Sequence, residues 1–335
     1  MKVEHEVVTL RLRHPFRIAR TAADDERQVV HVRVGGGIGE AAPHPYYGAS
    51  VDTVRVALDR YAAAIQDLPD DAPIEQTMGR AVAAFGGNAA ARGALSSALW
   101  DAMARRYNAP LWRLWGADPS AMAPTSFTIG IGTPDEMQRK AAEAADYATL
   151  KVKLGTPDDR DIIAALREVT DKPIRVDANT AWTPKEAVRK CAWLADAGVE
   201  LVEQPVKADD LEGLRFVRER SPLPIIADES VRTAADVARL VGCVDGINIK
   251  LAKCGGPMEA LTMIRMARVY GMQVMVGCMI ETSVGIATMA QLAPLVDYVD
   301  LDGNLLVAND PFRGPSVIGG TLALAEAPGH GCHPL

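Results

Sequence analysis

The apolar positions of the first 118 residues follow two different periods. They alternate with polar positions in VEHEVVTLRLR and RQVVHVRVGG, a pattern typical of strands with one buried face. The polar run AADDER between these two segments predicts a loop. From residue 51 to 116 the period becomes helical, most clearly in AARGALSSALWDAMARRY. These segments together predict an α+β domain over residues 1–118.

From residue 119 to 310, short apolar runs alternate with segments of helical periodicity. The polar residues that end seven of these runs recur every 22 to 28 positions, which is the length of one βα unit. They are Lys153, Asp177, Glu203, Asp228, Lys250, Cys278 and Asp300. Eight runs predict an α/β fold, with a (β/α) barrel over residues 119–310 rather than an open dinucleotide-binding sheet. The tail, residues 311–335, has no further βα unit and is predicted to complete the first domain.

Composition narrows the possible partners. The 335 residues carry 36 Lys and Arg against 43 Asp and Glu, a net charge of −7, and no basic block stands out. Nucleic acid and anionic membranes are therefore not expected as partners. The charged N-terminal segment and the short apolar runs predict neither a signal peptide nor a membrane span, so we expect a cytoplasmic location.

Cysteine and histidine usage limits the chemistry. The five cysteines are scattered and form no CxxC pair, so neither a disulfide framework nor a zinc site is expected. All six histidines lie near the two ends of the chain, with none between residues 45 and 329. Catalysis in that long middle must therefore depend on other side chains.

Three consecutive strands of the predicted barrel end in acids, Asp177, Glu203 and Asp228. Active sites of such barrels lie at the C-terminal ends of the strands, so the three carboxylates are expected to converge there. Buried like charges repel each other, and their desolvation is costly unless a cation lies among them. Separate salt bridges or helix caps would explain one such acid. Three in register favour a Mg²⁺ site, because Mg²⁺ prefers oxygen ligands and keeps positions open for substrate.

Lysines flank these acids in the chain. Lys151 and Lys153 lie two apart on one strand and therefore point to the same side, into the barrel. Lys250 ends the sixth strand, across the barrel mouth. The usual alternative is a solvated surface lysine, but the first pair lies within the apolar run LKVKL. Lysines beside each other and a divalent cation are expected to favour the neutral amine, so one could act as a base.

Asp300 and Asp302 share a face at the end of the eighth strand. Paired carboxylates suit an acid–base pair, further metal ligands or a binding site for a substrate ammonium. The structural alternative is a polar strand end before the turn at Gly303. Spacing alone does not decide among these interpretations.

The ordered set of a KxK pair, three acids and a later lysine resembles the muconate-lactonizing subgroup of the enolase superfamily. The resemblance extends over nearly the whole chain, in HPFRIAR, GEAAPHPYYGAS, ALSSALWDA, TLKVKLG, RVDAN, VEQP, ADES, NIKLAKCGG and GCMIETSVG. It implies a modified TIM barrel, (β/α)7β, with an N-terminal α+β capping domain. It also implies one Mg²⁺ per subunit, held by Asp177, Glu203 and Asp228, with Asn179 and Glu229 supporting these ligands.

The resemblance further implies how the lysines divide the work. Lys153 and Lys250 would be the catalytic acid–base pair, one on each face of the substrate carbon. Lys151 would stay protonated, bind the substrate carboxylate and lower the pKa of its neighbour. Members similar to mandelate racemase use a His/Asp dyad instead of the later lysine, and the histidine-free middle of this chain excludes that branch.

Within the lysine branch the candidates are cycloisomerases, o-succinylbenzoate synthases, N-acylamino acid racemases and dipeptide epimerases. Dipeptide epimerases are marked by an Asp-x-Asp on strand eight that binds the free ammonium of the dipeptide, and Asp300 and Asp302 match it. The resemblance also implies that Thr128, Cys278 and Ile280 line the substrate site. A small-molecule dipeptide, L-Xaa-L/D-Xaa, is therefore the expected substrate.

The identity of the second dipeptide residue stays open at this stage. Arg20 matches an arginine that meets the glutamate side chain of L-Ala-D/L-Glu in many relatives. The loop then continues as TAADDER, however, where Ala-Glu epimerases often carry a second arginine soon after Arg20, and Tyr46 stands where some relatives carry an arginine. The acids of this loop, Asp24, Asp25 and Glu26, would favour a neutral or cationic side chain. N-acylamino acid racemase or cycloisomerase activity is the alternative, and a non-enzymatic scaffold would give the lysines no purpose. The sequence leaves open whether the chain forms a homo-oligomer.

Overall fold

A computed structural model describes all 335 residues. The N-terminal region combines a three-stranded antiparallel sheet with helices packed on one face. Its elements are β1 (Val3–Phe16), β2 (Asp24–Val34), β3 (Gly37–Ala41), α1 (Val51–Ile65), α2 (Ile74–Ala84), α3 (Ala89–Arg106) and α4 (Leu111–Leu114). The predicted α+β character of this region is confirmed.

The sequence prediction was wrong for part of AADDER. Residues Asp24 to Arg27 belong to β2, where Glu26 pairs with Arg11 and Arg27 with Leu10. Their polarity misled the prediction because both faces of this strand end are exposed. An exposed antiparallel extension needs no apolar alternation, since its cross-strand hydrogen bonds suffice.

Strand β3 was also missed, and close helix packing explains why. It follows β2 through the turn at Gly35-Gly36, and all five of its residues are buried. A Cβ at Gly37 would come within 2.2 Å of Ala98 O, and one at Gly39 within 2.2 Å of Ala94 O. Glycine is therefore required for α3 to approach the sheet this closely, at the expense of the usual strand pattern.

The barrel contains eight parallel strands in sequential order, and a parallel bridge between Thr125 and Val299 closes it. Its strands are β4 (Ser126–Ile129), β5 (Thr149–Lys153), β6 (Ile174–Asp177), β7 (Val199–Glu203), β8 (Ile225–Ala227), β9 (Gly246–Ile249), β10 (Gln273–Gly277) and β11 (Tyr298–Asp300). Its helices are α5 (Pro134–Glu143), α6 (Asp159–Val169), α7 (Pro184–Asp196), α8 (Leu211–Arg218), α9 (Ala234–Arg239), α10 (Leu251–Cys254), α11 (Pro257–Val269) and α12 (Ser283–Ala290). The predicted (β/α)7β order is confirmed. No helix is both long and apolar enough to cross a membrane.

Two barrel helices begin at the same short pattern, Thr-Pro-x-Glu. In α5 the Thr133 side chain accepts a hydrogen bond from the Glu136 backbone, and the glutamate accepts one from the Thr133 backbone. Thr183 and Glu186 form the same capping box at α7. The proline at the first helical position has no N–H to leave unsatisfied. These signals place the start of each helix just after the strand-end loops that form the site.

The C-terminal tail forms two short antiparallel pairs, β12 (Phe312–Arg313) with β15 (His333–Pro334), and β13 (Ser316–Ile318) with β14 (Thr321–Ala323). Phe312 and Cys332 pack against Ile38 of β3 and against α12. The tail thus contacts both the cap sheet and the barrel. A domain division at residues 118 and 310 stays a prediction.

Candidate active site

Three carboxylates meet at the C-terminal ends of β6, β7 and the segment after β8. One oxygen each of Asp177, Glu203 and Asp228 lies within 4.8 Å of the others, and all three residues are buried. Parallel pairing aligns Asp177 with Glu203 directly, because the register of β6 and β7 is continuous there. Burial, followed by the charge of Asp177, raises the pKa of Glu203 to about 7. The three carboxylates therefore repel one another, and a cation bound among them would relieve that repulsion.

The polar neighbours of the cluster hold its carboxylates in place. Asn179 donates from its backbone to Asp177 Oδ1 (2.8 Å) and from its side chain to Asp177 Oδ2 (3.2 Å) and Glu229 Oε1 (3.3 Å). Asn248 donates to Glu203 Oε1 at 2.8 Å. Buried acceptor oxygens without a hydrogen bond remain at Asn179 Oδ1 and Asn248 Oδ1. An oxygen-rich donor set of this kind fits Mg²⁺.

Lys151 and Lys153 approach the cluster from β5. Lys153 Nζ donates to Asp177 Oδ2 at 2.6 Å. Lys151 Nζ lies 2.6 Å from both Glu203 Oε2 and Asp300 Oδ2. Burial opposes the charge of Lys151, but Asp300 and Glu203 outweigh it and raise its pKa well above the usual value. Lys151 is therefore held as an ammonium.

Lys250 and Lys253 approach from the opposite side, after β9. Lys250 Nζ donates to Asp228 Oδ2 at 2.9 Å, and Lys253 Nζ donates to Asp228 Oδ1 at 2.5 Å. Lys253 also donates to the backbone oxygens of Asp228 (2.6 Å) and Asn248 (3.0 Å). Asp177 and Asp228, at the two ends of the cluster, thus each have two lysines near them.

The expected preference for the neutral amine refers to lysines beside a bound divalent cation, and it stays a prediction. Burial disfavours the Lys250 ammonium, but Asp228 and Glu203 more than compensate and raise its pKa. The sequence reasoning counted the neighbouring lysines and a cation, and it left out how closely the carboxylates approach each lysine.

Asp300 and Asp302 have different partners, although both face the barrel interior. Asp300 accepts from Lys151 and from Ser126 Oγ, each at 2.6 Å. Asp302 accepts from the Thr128 backbone at 2.5 Å. Burial, followed by the charge of Asp300, raises the pKa of Asp302 to about 7, whereas Lys151 lowers that of Asp300. Asp302 is the carboxyl of this pair without a cationic partner.

A cavity of about 120 Å³ lies between the strand ends and the N-terminal region. The residues that sequence reasoning placed at the site and that line this cavity are Arg20, Thr128, Lys151, Lys153, Asn179, Asp228, Lys250, Cys278, Ile280, Asp300 and Asp302. Asp177, Glu203 and Glu229 are fully or almost fully buried and do not line it. Cys278 and Ile280 follow β10 rather than belonging to it.

The N-terminal side of the cavity, here called the cap wall, is lined by Phe16, Ile18, Arg20, Thr21, Arg27, Gln28, Pro43, His44 and Tyr47. Arg20 donates to Asn179 O (3.1 Å) and to Glu229 Oε1 (2.5 Å), and its guanidinium lies 4.3 Å from the Tyr46 ring centroid. Arg27 is paired with Asp24. Both arginines of the cap wall therefore have an anionic partner within the protein.

Two family models cover nearly the whole chain. Residues 2–116 match the mandelate racemase / muconate lactonizing enzyme N-terminal domain, and residues 135–334 match the enolase C-terminal domain-like family. The chain therefore belongs to the mandelate racemase / muconate lactonizing enzyme family, whose C-terminal domain is enolase-like. The superfamily recognised from the strand-end pattern is thereby confirmed.

Within the enolase superfamily, two kinds of relative are similarly close. The L-Ala-D/L-Glu epimerase of Bacteroides thetaiotaomicron is 39% identical over 99% of this chain and 87% of its own. The hydrophobic dipeptide epimerase of Roseobacter litoralis is 37% identical over 99% and 98%. The structure of the Enterococcus faecalis dipeptide epimerase with Mg and L-Leu-L-Tyr matches with a TM-score of 0.91 and 35% identity, over 99% of this chain and 98% of that one.

Sequence reasoning missed several residues of this enolase-superfamily site. Lys253 follows Lys250 by three positions, which is one helical turn, and α10 begins between them. Asn248 precedes Lys250 by two positions on a strand, so alternation alone places both on one face. Ser126 likewise precedes Thr128 by two positions on β4, so the same alternation could have found it. Gln204 gave no comparable signal, because it is uncharged and lies next to Glu203, on the opposite face by alternation.

Proposed function

We propose that this enzyme is a Mg²⁺-dependent dipeptide epimerase that inverts the α-carbon of the C-terminal residue. The observation that carries the proposal is the placement of Lys153 on Asp177 and Lys250 on Asp228, at the two ends of one carboxylate cluster. Two bases on opposite sides of a substrate carbon can remove a proton from one face and return one to the other.

The side chains divide the reaction among themselves. When bound by Asp177, Glu203 and Asp228, Mg²⁺ would stabilise negative charge on the substrate carboxylate and so lower the cost of removing the adjacent proton. The Lys151 ammonium adds a second positive charge at the same end. With the three carboxylates engaged by the metal, their stabilisation of the lysine ammonium groups would weaken. One of Lys153 and Lys250 could then take the α-proton as a neutral amine, while the other, as an ammonium, donates a proton to the opposite face.

Asp302 supports a substrate with a free N-terminus. Its carboxyl group is buried on the cavity wall, and its known partner is a backbone N–H. A substrate ammonium beside it would supply the missing positive charge and form a charge-assisted hydrogen bond. Asp300 differs from the sequence expectation here, because Lys151 already provides its cation. We therefore assign ammonium binding to Asp302 first, with Asp300 as its anionic neighbour.

The remaining direction in the cavity leads to the cap wall. With the substrate carboxylate at the metal site and its ammonium at Asp302, the cap wall is the part of the cavity left for the C-terminal side chain, and Ile18 and Arg20 lie on it. Arg20 is already paired with Glu229, and burial, followed by the charge of Arg20, lowers the pKa of His44 to about 4. The cap wall therefore has no unpaired positive charge that could bind an acidic side chain of the substrate. We propose that the epimerised residue has a neutral, apolar side chain.

The names of the relatives do not distinguish an acidic from an apolar C-terminal residue, because one relative is named for L-Ala-D/L-Glu and another, at similar identity, for hydrophobic dipeptides. The test is a library of L-Ala-L-Xaa dipeptides incubated in D₂O with Mg²⁺ and read by mass for one deuterium at the α-carbon. We expect exchange and epimerisation of apolar members, with slower turnover of L-Ala-L-Glu. N-Acetylated dipeptides serve as the control, and their preferential turnover would favour N-acylamino acid racemase activity.

A cytoplasmic location and homo-oligomer formation stay predictions.

A further inference from the structure

Gln204 lies directly after Glu203 and is fully buried. Its backbone has φ +36°, in the left-handed region that residues other than glycine rarely adopt. Its N–H donates to Ile226 O at 2.8 Å, and its carbonyl accepts from the Thr180 N–H at 2.9 Å. An unfavourable backbone conformation of this kind persists only where surrounding contacts enforce it.

The Gln204 side chain makes four hydrogen bonds. Its Oε1 accepts from the backbone N–H groups of Asp228 (2.9 Å) and Ser230 (3.1 Å). Its Nε2 donates to Val206 O (2.9 Å) and Ser230 Oγ (2.8 Å). A side-chain amide has two donors and two acceptor lone pairs, so the hydrogen-bonding capacity of Gln204 is completely used.

These contacts connect the chain segments that carry all three carboxylates of the cluster. Glu203 is the preceding residue, Asp228 is bonded through its own N–H, and Thr180 lies three residues after Asp177. We propose that Gln204 is a positioning residue that fixes the spacing of the three carboxylates and thereby sets the affinity for Mg²⁺. The proposal rests on the proposed function in one respect, namely that these carboxylates bind the metal.

The coordination chemistry of Mg²⁺ explains why spacing matters. Mg²⁺ requires a nearly ideal octahedron with short metal–oxygen distances of about 2.1 Å, so it tolerates displaced ligands poorly. Residues that orient ligands without touching the metal typically change metal affinity by about 10- to 100-fold when removed. A residue that is connected to the chain segments of all three ligands is expected to lie within that range.

The decisive variant is Gln204→Met, which keeps the length of the side chain and removes its four hydrogen bonds. Gln291→Met is the matched control. Gln291 is equally buried, accepts from the Trp112 N–H and donates to His330 O, each at 3.1 Å, but contacts none of the three carboxylates. Mg²⁺ binding to each metal-free protein is measured by titration calorimetry, with circular dichroism melts to compare stability.

We expect Gln204→Met to weaken Mg²⁺ binding by about tenfold or more, and Gln291→Met to leave it within about twofold, while both lower the melting temperature. Wild-type affinity in a folded Gln204→Met protein would overturn the proposal and leave the proposed function intact. If the wild type itself binds no Mg²⁺, the proposed function and this inference both fall.

Ser230→Ala decides the question if Gln204→Met does not fold. The hydroxyl of Ser230 accepts from Gln204 Nε2 and donates to Ala208 O at 2.8 Å, so its removal loosens one side of the amide. We expect Mg²⁺ binding to weaken by roughly threefold, a smaller loss than for the amide itself. An unchanged affinity for Ser230→Ala would then overturn the proposal.

Discussion

The two sides of the cavity are built differently. On the barrel side, Lys151 and Lys250 are almost completely buried, and each contacts at least one carboxylate at 2.9 Å or less. On the cap wall, the Arg20 side chain is 23% exposed and the Arg27 side chain is 29% exposed. The barrel side is therefore rigidly preorganised, as electrostatic catalysis requires. The cap wall is more exposed, and of its charged side chains Arg20 alone is connected to the carboxylate cluster, through Asn179 and Glu229.

This difference suggests that the reaction depends on the barrel and the choice of substrate on the cap wall. The relatives agree with that division, since epimerases named for acidic and for hydrophobic dipeptides share this fold at similar identity. Variants on the barrel side should therefore lower the rate of the reaction, whereas variants on the cap wall should change the preference among dipeptide substrates.

The largest effect is expected from the two lysines at the ends of the cluster. Lys153→Ala and Lys250→Ala should each lower epimerisation by about a thousandfold or more, because each removes the acid–base group for one face. Either variant can still exchange the α-proton of one epimer in D₂O. The measurement is kcat for epimerisation beside single-epimer exchange followed by NMR.

Lys172→Ala provides the control for these variants. Lys172 donates only to backbone carbonyl groups of Ala144 and Ala145, away from the cavity. It should retain wild-type kcat. Full epimerisation by Lys153→Ala or Lys250→Ala would contradict the two-base mechanism.

Loss of one metal-binding charge should have the next largest effect. Glu203→Gln is expected to weaken Mg²⁺ binding by roughly a hundredfold, because ligand charge determines the affinity of oxygen sites for such cations. Glu200→Gln on the same strand is the control, since Glu200 is exposed and pairs with Arg175 rather than with the carboxylate cluster. Calorimetry measures both. Undiminished turnover after exhaustive chelation would show that the carboxylate cluster is structural.

A smaller and more selective effect is expected at the barrel wall. Asp302→Asn keeps the shape and an acceptor for the Thr128 N–H but removes the negative charge. Losing a charge-assisted contact of about 2 kcal/mol should lower kcat/KM for L-Ala-L-Leu about thirtyfold. The N-acetylated analogue should change far less. Equal losses on both substrates would remove the ammonium-binding role and favour an N-acylamino acid substrate.

Much of the barrel side could be predicted from the sequence because it depends on regular geometry. Parallel strands of similar length align their C-terminal residues, so the spacing of Asp177, Glu203 and Asp228 along the chain was enough to predict their convergence. Alternation on one strand likewise placed Lys151 and Lys153 on a single face.

The features that escaped prediction depend on contacts between distant segments. The pairing of Lys151 with Asp300 connects β5 to β11, and no local pattern specifies which of two lysines makes it. Strand β3 lacks the alternation of apolar and polar residues expected of a strand, because the close packing of α3 requires glycine at two of its positions. The Gln204 contacts use an uncharged side chain and backbone groups, which leave no periodic trace in the sequence.

The smallest effect is expected on the cap wall. Arg20 and Glu229 form a pair, so replacing Arg20 alone would leave a buried carboxylate without its partner, a costly change that obscures any effect on substrate. The double variant Arg20→Met with Glu229→Gln avoids leaving an unpaired buried carboxylate.

If the C-terminal side chain is apolar, the ratio of kcat/KM for L-Ala-L-Leu to that for L-Ala-L-Glu should change by less than about threefold in this double variant, since no charge contact with substrate is lost. If Arg20 instead binds a substrate carboxylate, the double variant should lose L-Ala-L-Glu turnover selectively, by about thirtyfold. Parallel steady-state assays on the two dipeptides distinguish these outcomes, and a selective loss would assign the acidic substrate to this chain.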